Sequence, residues 1–139
     1  MKNHHKILAI LILLCGCSPS AEVAPPTAPQ HKNISIKITD DVSYILDDAE
    51  ARHEEFPDTF WIPPAEERMA LTKDELVKLM FQITVDGEVQ TERMWVIVGE
   101  RTGDGYVGIL DNDPYCTDAI VHGIEVQFEP RHVIEIYTD

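Results

Sequence analysis

Between Leu76 and Val85 the apolar side chains fall on every second position. Val77, Leu79, Phe81, Ile83 and Val85 alternate with Lys78, Met80, Gln82 and Thr84. A period of two predicts a strand with one buried face. Asp86-Gly87 supplies turn chemistry, and Arg93–Val98 predicts a second strand. Met94, Val96 and Val98 share one of its faces, and Arg93, Trp95 and Ile97 the other. Thr102-Gly103-Asp104-Gly105 is a second turn, leading into a third strand over Tyr106–Leu110. Gly108 inside that strand signals a bulge or a close approach of two backbones. Ile124–Phe128 and His132–Tyr137 complete the series, joined at Glu129-Pro130-Arg131.

Upstream the pattern changes. Ile34–Ile38 alternates over a short strand. Thr39 or Asp40 can cap a helix over Asp41–Glu55, in which Val42, Ile45, Ala49 and Arg52 share one side. Pro57 ends it. Phe60-Trp61-Ile62 forms an apolar stretch, and a helical turn is expected from Pro64 to Leu71, with Glu66 and Glu67 in its first turn. Together these elements predict a single α+β domain over residues 33–139. The expected architecture is a small, strongly bent antiparallel sheet or partly open β-barrel with one N-terminal helix.

The first residues follow a different logic. Lys2 and Lys6 precede an unbroken apolar run, Ile7–Leu14. At 1.5 Å per residue that run spans roughly 12 Å, too short for a hydrocarbon core of about 30 Å. It reads as the apolar region of a signal peptide over residues 1–16. Leu14-Cys15-Gly16-Cys17 then resembles the bacterial lipobox, which implies lipidation of Cys17 and cleavage before it. Acyl chains there would anchor the protein to a membrane. Ser18 follows the Cys, and the familiar sorting pattern then points to the outer membrane, facing the periplasm, in a Gram-negative cell. Residues 17–32 carry Pro19, Pro25, Pro26 and Pro29 and few large apolar side chains, so they read as a tether.

Charge narrows the partners. Eleven Lys and Arg against 25 Asp and Glu give a net charge of −14 over 139 residues. Loss of Lys2 and Lys6 with the signal makes the processed chain more acidic still. Nucleic acid and anionic headgroups are disfavoured partners, and a basic protein is the favoured one. Cys116 is the cysteine left once Cys15 is removed and Cys17 lipidated, so no intramolecular disulfide is expected. It reads as a small buried side chain. A nucleophile would need an activating base, and His122 is the nearest histidine in sequence.

Two stretches carry candidate binding chemistry. Asp111-Asn112-Asp113-Pro114-Tyr115 reads either as a turn or as a cation or ligand site. Its spacing fails the EF-hand pattern, because Tyr115 and Cys116 stand where an acid and a glycine belong. Arg93 and Trp95 on one strand face make a binding hot spot or cover the edge of a core. His31, His53, His122 and His132 remain after processing, without HExxH or zinc spacing. No GxSxG, P-loop or GxGxxG occurs. The sequence implies no metal and no cofactor.

Phe56–Tyr137 resembles small bacterial domains of the YegJ-like group. The resemblance rests on Pro57-Asp58-Thr59-Phe60, Val77-Lys78-Leu79-x-Phe81, Glu92-Arg93-Met94-Trp95-Val96 and Tyr106-Val107-Gly108-x-Leu110-Asp111-Asn112-Asp113-Pro114. Gly123-x-x-Val126-x-Phe128 and His132-Val133 follow in order. It implies a compact β-rich domain and imports no catalytic residue. Asp74-Glu75 stands where the pattern has Gly-Asp. A loose link to immunity proteins of toxin systems suits an acidic chain. The expectation is therefore a non-catalytic protein-binding module of the cell envelope, an inhibitor or immunity protein against a basic envelope enzyme in its specific form. A structural envelope lipoprotein is the alternative, and a hydrolase using two acids or Cys116 a third reading.

Overall fold

The fold is organised around one long hairpin. Its strands, β3 (Leu76–Val85) and β4 (Glu88–Thr102), are paired along the whole length of β3 from Leu76↔Ile97 to Val85↔Glu88. Asp86 and Gly87 turn the chain with φ of 51° and 84°, the left-handed pair that a tight hairpin demands. The computed structural model describes residues 33–138. The signal peptide, Cys17 and the linker to residue 32 lie outside the described residues.

The remaining elements are β1 (Ile36–Lys37), β2 (Val42–Leu46), α1 (Ala49–Glu55), α2 (Ala65–Met69), β5 (Gly105–Leu110), β6 (Glu125–Phe128), a 3-10 turn (Pro130–His132) and β7 (Val133–Ile136). All strands are antiparallel, in the order β1-β2-β3-β4-β5-β6. β7 pairs with β3 alongside Val77–Leu79, while β2 takes Phe81–Val85 of that strand. The result is a strongly curled half-barrel with two short helices, an α+β fold.

Alternation explains the curl. Val77, Leu79, Phe81 and Ile83 of β3 point inward with Met94, Val96 and Val98 of β4, Tyr106 and Leu110 of β5, and Val126 and Phe128 of β6. Met80 points the other way and packs with Ala49, Ile62, Ile134 and Phe60 in a smaller cluster under α1. Register shifts bend the sheet at Val98/Glu100 and at Lys78/Leu79. Gly108 sits where its strand meets β4 most closely: a Cβ there would lie 2.5 Å from the Ile97 carbonyl oxygen. That is the close approach expected for it.

The long N-terminal helix expected over Asp41–Glu55 is not formed. Val42, Tyr44 and Leu46 are buried in alternation, as strand β2, and helix begins only at Ala49. Its cap is Asp48, whose carboxylate accepts the Ala51 N–H at 3.0 Å. Thr39 instead accepts the Val42 N–H at 3.0 Å and shapes the turn between β1 and β2. The shared side drawn through Val42, Ile45, Ala49 and Arg52 was a coincidence of two periods over a short segment. Pro64–Leu71 forms the shorter α2, and Asp74 adopts φ 73°, taking the left-handed role that a glycine fills more readily.

Candidate functional site

Strand β5 ends at Leu110, and the chain departs on a loop before returning at Ile124. Backbone bonds close the neck: Leu110 N–H to Ile124 O at 2.9 Å, and Gly123 N–H to Leu110 O at 2.8 Å. Ile120, 1% exposed, reaches into the main core and fixes the loop from below, with Cys116 partly buried beside it.

The loop lies along the outer part of β4. Asp111 N–H donates to the Trp95 carbonyl at 2.8 Å, and the Trp95 N–H donates to Asn112 Oδ1 at 2.6 Å. Asp113 Oδ1 accepts the His122 N–H at 2.7 Å, and His122 Nε2 stands 3.3 Å from Asp111 Oδ1. Glu92 completes the frame. Its carboxylate accepts the N–H groups of Tyr115 at 2.9 and 3.0 Å and of Cys116 at 3.0 Å. Asn112 Oδ1 is therefore spent on strand β4, and one oxygen each of Asp111 and Asp113 on His122 within the loop. Tyr115, at its tip, is fully exposed.

The structure brings Trp95 together with Asp111 and Asn112 through backbone groups. Arg93 is exposed and makes no hydrogen bond or ion pair among the described residues. Trp95 is half-buried, with the Lys78 ammonium 4.2 Å from its ring centroid and Tyr137 edge-on at 6.1 Å. Lys78 is paired in turn with Glu135. One face of the Trp95 ring is thus already occupied by a cation. Burial, and then the neighbouring Glu92 carboxylate, push the Cys116 thiol up to about 11, the opposite of an activated thiolate. His122 faces Asp111 through its ring.

The sequence marks Glu92 as part of the candidate stretch Glu92-Arg93-Met94-Trp95 but does not show it as the organiser of the loop. Sequence reasoning missed a buried polar cluster. Arg68, 4% exposed, donates to the Pro63 carbonyl at 2.8 Å, to Glu50 at 2.6 Å and to the Pro130 carbonyl at 2.8 Å. Arg131 binds Asp48 at 2.9 Å, Asn33 at 3.1 Å and Glu129 at 3.0 Å. Burial alone would raise the Asp48 carboxyl, but the Ala51 amide and Arg131 outweigh it and hold it below the usual range. No local pattern announces this cluster, because its members come from in and around α1, α2 and the 3-10 turn and from Asn33, far apart along the chain.

Beside it the half-barrel stays open. A groove of about 650 Å³ runs between Ile34, Ile36 and Tyr44 on one side and Gln127 and Phe128 on the other. Among the described residues no group of three or more His, Cys, Asp or Glu side chains could hold a metal ion, and no helix is long and apolar enough to cross a membrane. Comparison of the chain with protein-family models, with curated proteins and with solved structures finds no match in any of the three.

Proposed function

We propose that the folded part is a non-catalytic protein-binding module of the cell envelope, held to the membrane through a lipid on Cys17. Its recognition surface is the Tyr115 loop, with Arg93 and the open edge of Trp95 beside it. One observation carries this reading: a fully exposed tyrosine stands on a loop that Glu92, Asn112 and Asp113 hold in a single shape. An aromatic anchor ordered in advance binds with little further loss of entropy. The acidic charge of the chain favours a basic protein as the partner, drawn in by long-range attraction. An inhibitor or immunity protein acting on a basic envelope enzyme is the specific form of the proposal.

The test is affinity capture from an envelope extract with residues 18–139, at low and high salt, beside the Tyr115→Ala chain. A basic protein retained at low salt, released at high salt and lost with Tyr115→Ala is the expected result. Retention that ignores both salt and the substitution, or no retained protein, overturns the proposal and favours a structural envelope role.

A further inference from the structure

The sheet does not close. Among the described residues β1 pairs with β2 alone and β6 with β5 alone, and the groove separates these two edges. Ile34, Ile36, Tyr44, Tyr106 and Phe128 give its walls an apolar part, beside polar residues that include Asp104, Gln127 and Arg131. None of the lining residues belongs to the Tyr115 loop, so this surface stands apart from the one proposed above. We propose that the groove takes an extended, basic segment of a partner protein, which adds to the free edge of β6 as a further strand.

The hydrogen-bonding pattern sets the geometry. Leu110 bonds Ile124, and Gly108↔Val126 and Tyr106↔Phe128 follow two residues apart in the same register. Backbone groups alternate in direction along a strand, so those of Val126 and Phe128 face β5 and those of Glu125 and Gln127 face the opening. A paired segment of four residues, the length of β6, spans about 13 Å. Alternate side chains of such a segment would lie on Ile36 and Phe128, and the rest would point to solvent.

Charge selects the segment. The cation lining the groove, Arg131, is already held by Asp48 and Glu129. His132 is neutral down to about pH 4. Asp104, at the end of the groove, is exposed and makes no hydrogen bond or ion pair among the described residues. Glu125, at the start of the β6 edge, is likewise exposed and unpartnered among them. Lysine or arginine alternating with apolar residues therefore fits, and an acidic segment does not. The chain's own residues 18–32 suit the edge poorly, because Pro19, Pro25, Pro26 and Pro29 lack the N–H that a ladder needs.

Two synthetic hexapeptides test this, one alternating lysine and valine and the other glutamate and valine. Fluorescence anisotropy with residues 18–139 reads affinity, and amide hydrogen exchange reads the Gln127 N–H. The lysine peptide should bind at least about tenfold more tightly than the glutamate peptide and should slow exchange at Gln127. Asp104→Lys, a change at an exposed turn, should reduce that preference severalfold, and Gln127→Pro should abolish binding. Equal binding of both peptides, or binding that leaves Gln127 unprotected, overturns the proposal. So does a Gln127 amide protected without peptide: loss of that protection on dilution would identify a second copy as the occupant, and loss on deleting residues 18–32 would identify the chain's own tether.

Discussion

Acid should weaken this domain through His132. The imidazole is buried, 7% exposed, and its Nδ1 accepts the Glu129 N–H at 3.0 Å, which leaves the proton on Nε2. Burial first, and the Arg131 guanidinium second, hold the group down to about 4 from an ordinary 6.5, although Glu129, Asp48 and Asp47 pull the other way. The folded state thus contains the neutral ring. As pH falls below 6.5 the unfolded chain takes up a proton that the folded chain refuses, so stability declines and levels off below pH 4. From these two values the loss is roughly 2 kcal/mol by pH 5 and about 3 kcal/mol at the plateau. Urea titrations at about pH 7.5 and pH 5 measure it, with His132→Asn as the reference. Asparagine can accept the same amide and does not titrate, and every other group is common to both chains. The wild type should lose about 2 kcal/mol more than the variant over that interval. Equal losses would refute the claim that the buried neutral ring governs the acid response.

Three further outcomes are expected. Gly108→Ala would set a Cβ 2.5 Å from the Ile97 oxygen and 2.6 Å from Val96 Cγ1, and should cost about 3 kcal/mol in urea unfolding; an unchanged midpoint would remove the close approach from the account. Glu92→Ala frees the Tyr115 and Cys116 amides and should speed their exchange, with a cost of about 1–2 kcal/mol, while Glu92→Gln should restore part of the protection. Cys116 should react with a soluble disulfide reagent at pH 8 about tenfold more slowly than an unperturbed thiol, since its thiolate is roughly ninetyfold scarcer and the greater nucleophilicity of a more basic thiolate offsets part of that. A rate matching free cysteine would show that neither burial nor Glu92 restrains it.

Much of the sheet is legible in the sequence because its information is local. The alternation of Val77 to Val85 and the Asp86-Gly87 turn state a hairpin in adjacent residues, and Gly108 marks the tight crossing within one strand. Val42–Glu55 is misleading for the same reason: Val42, Ile45, Ala49 and Arg52 fit a helix, and only packing against Phe81 and Ile83 selects the alternate pattern through Val42, Tyr44 and Leu46. The Asp111–Tyr115 stretch is visible as a polar knot. Its task is not, since the groups that hold it, Glu92 and Trp95, lie on another strand. Arg131 and Asp48 are 83 residues apart, and Arg68 and Pro130 are 62 apart, so their meeting has no signature along the chain.

The shared edge of β3 has a consequence for the order of folding. Val77–Leu79 can be flanked on both sides only after β7 arrives, and the Lys78–Glu135 pair joins positions 57 residues apart. Closing so long a loop is slow compared with forming the β3–β4 hairpin. A nascent chain that ends before Val133 lacks Val133 in the main core and Ile134 in the cluster under α1. Such a chain should remain open, and the last strand should act as the latch that commits it to the native state.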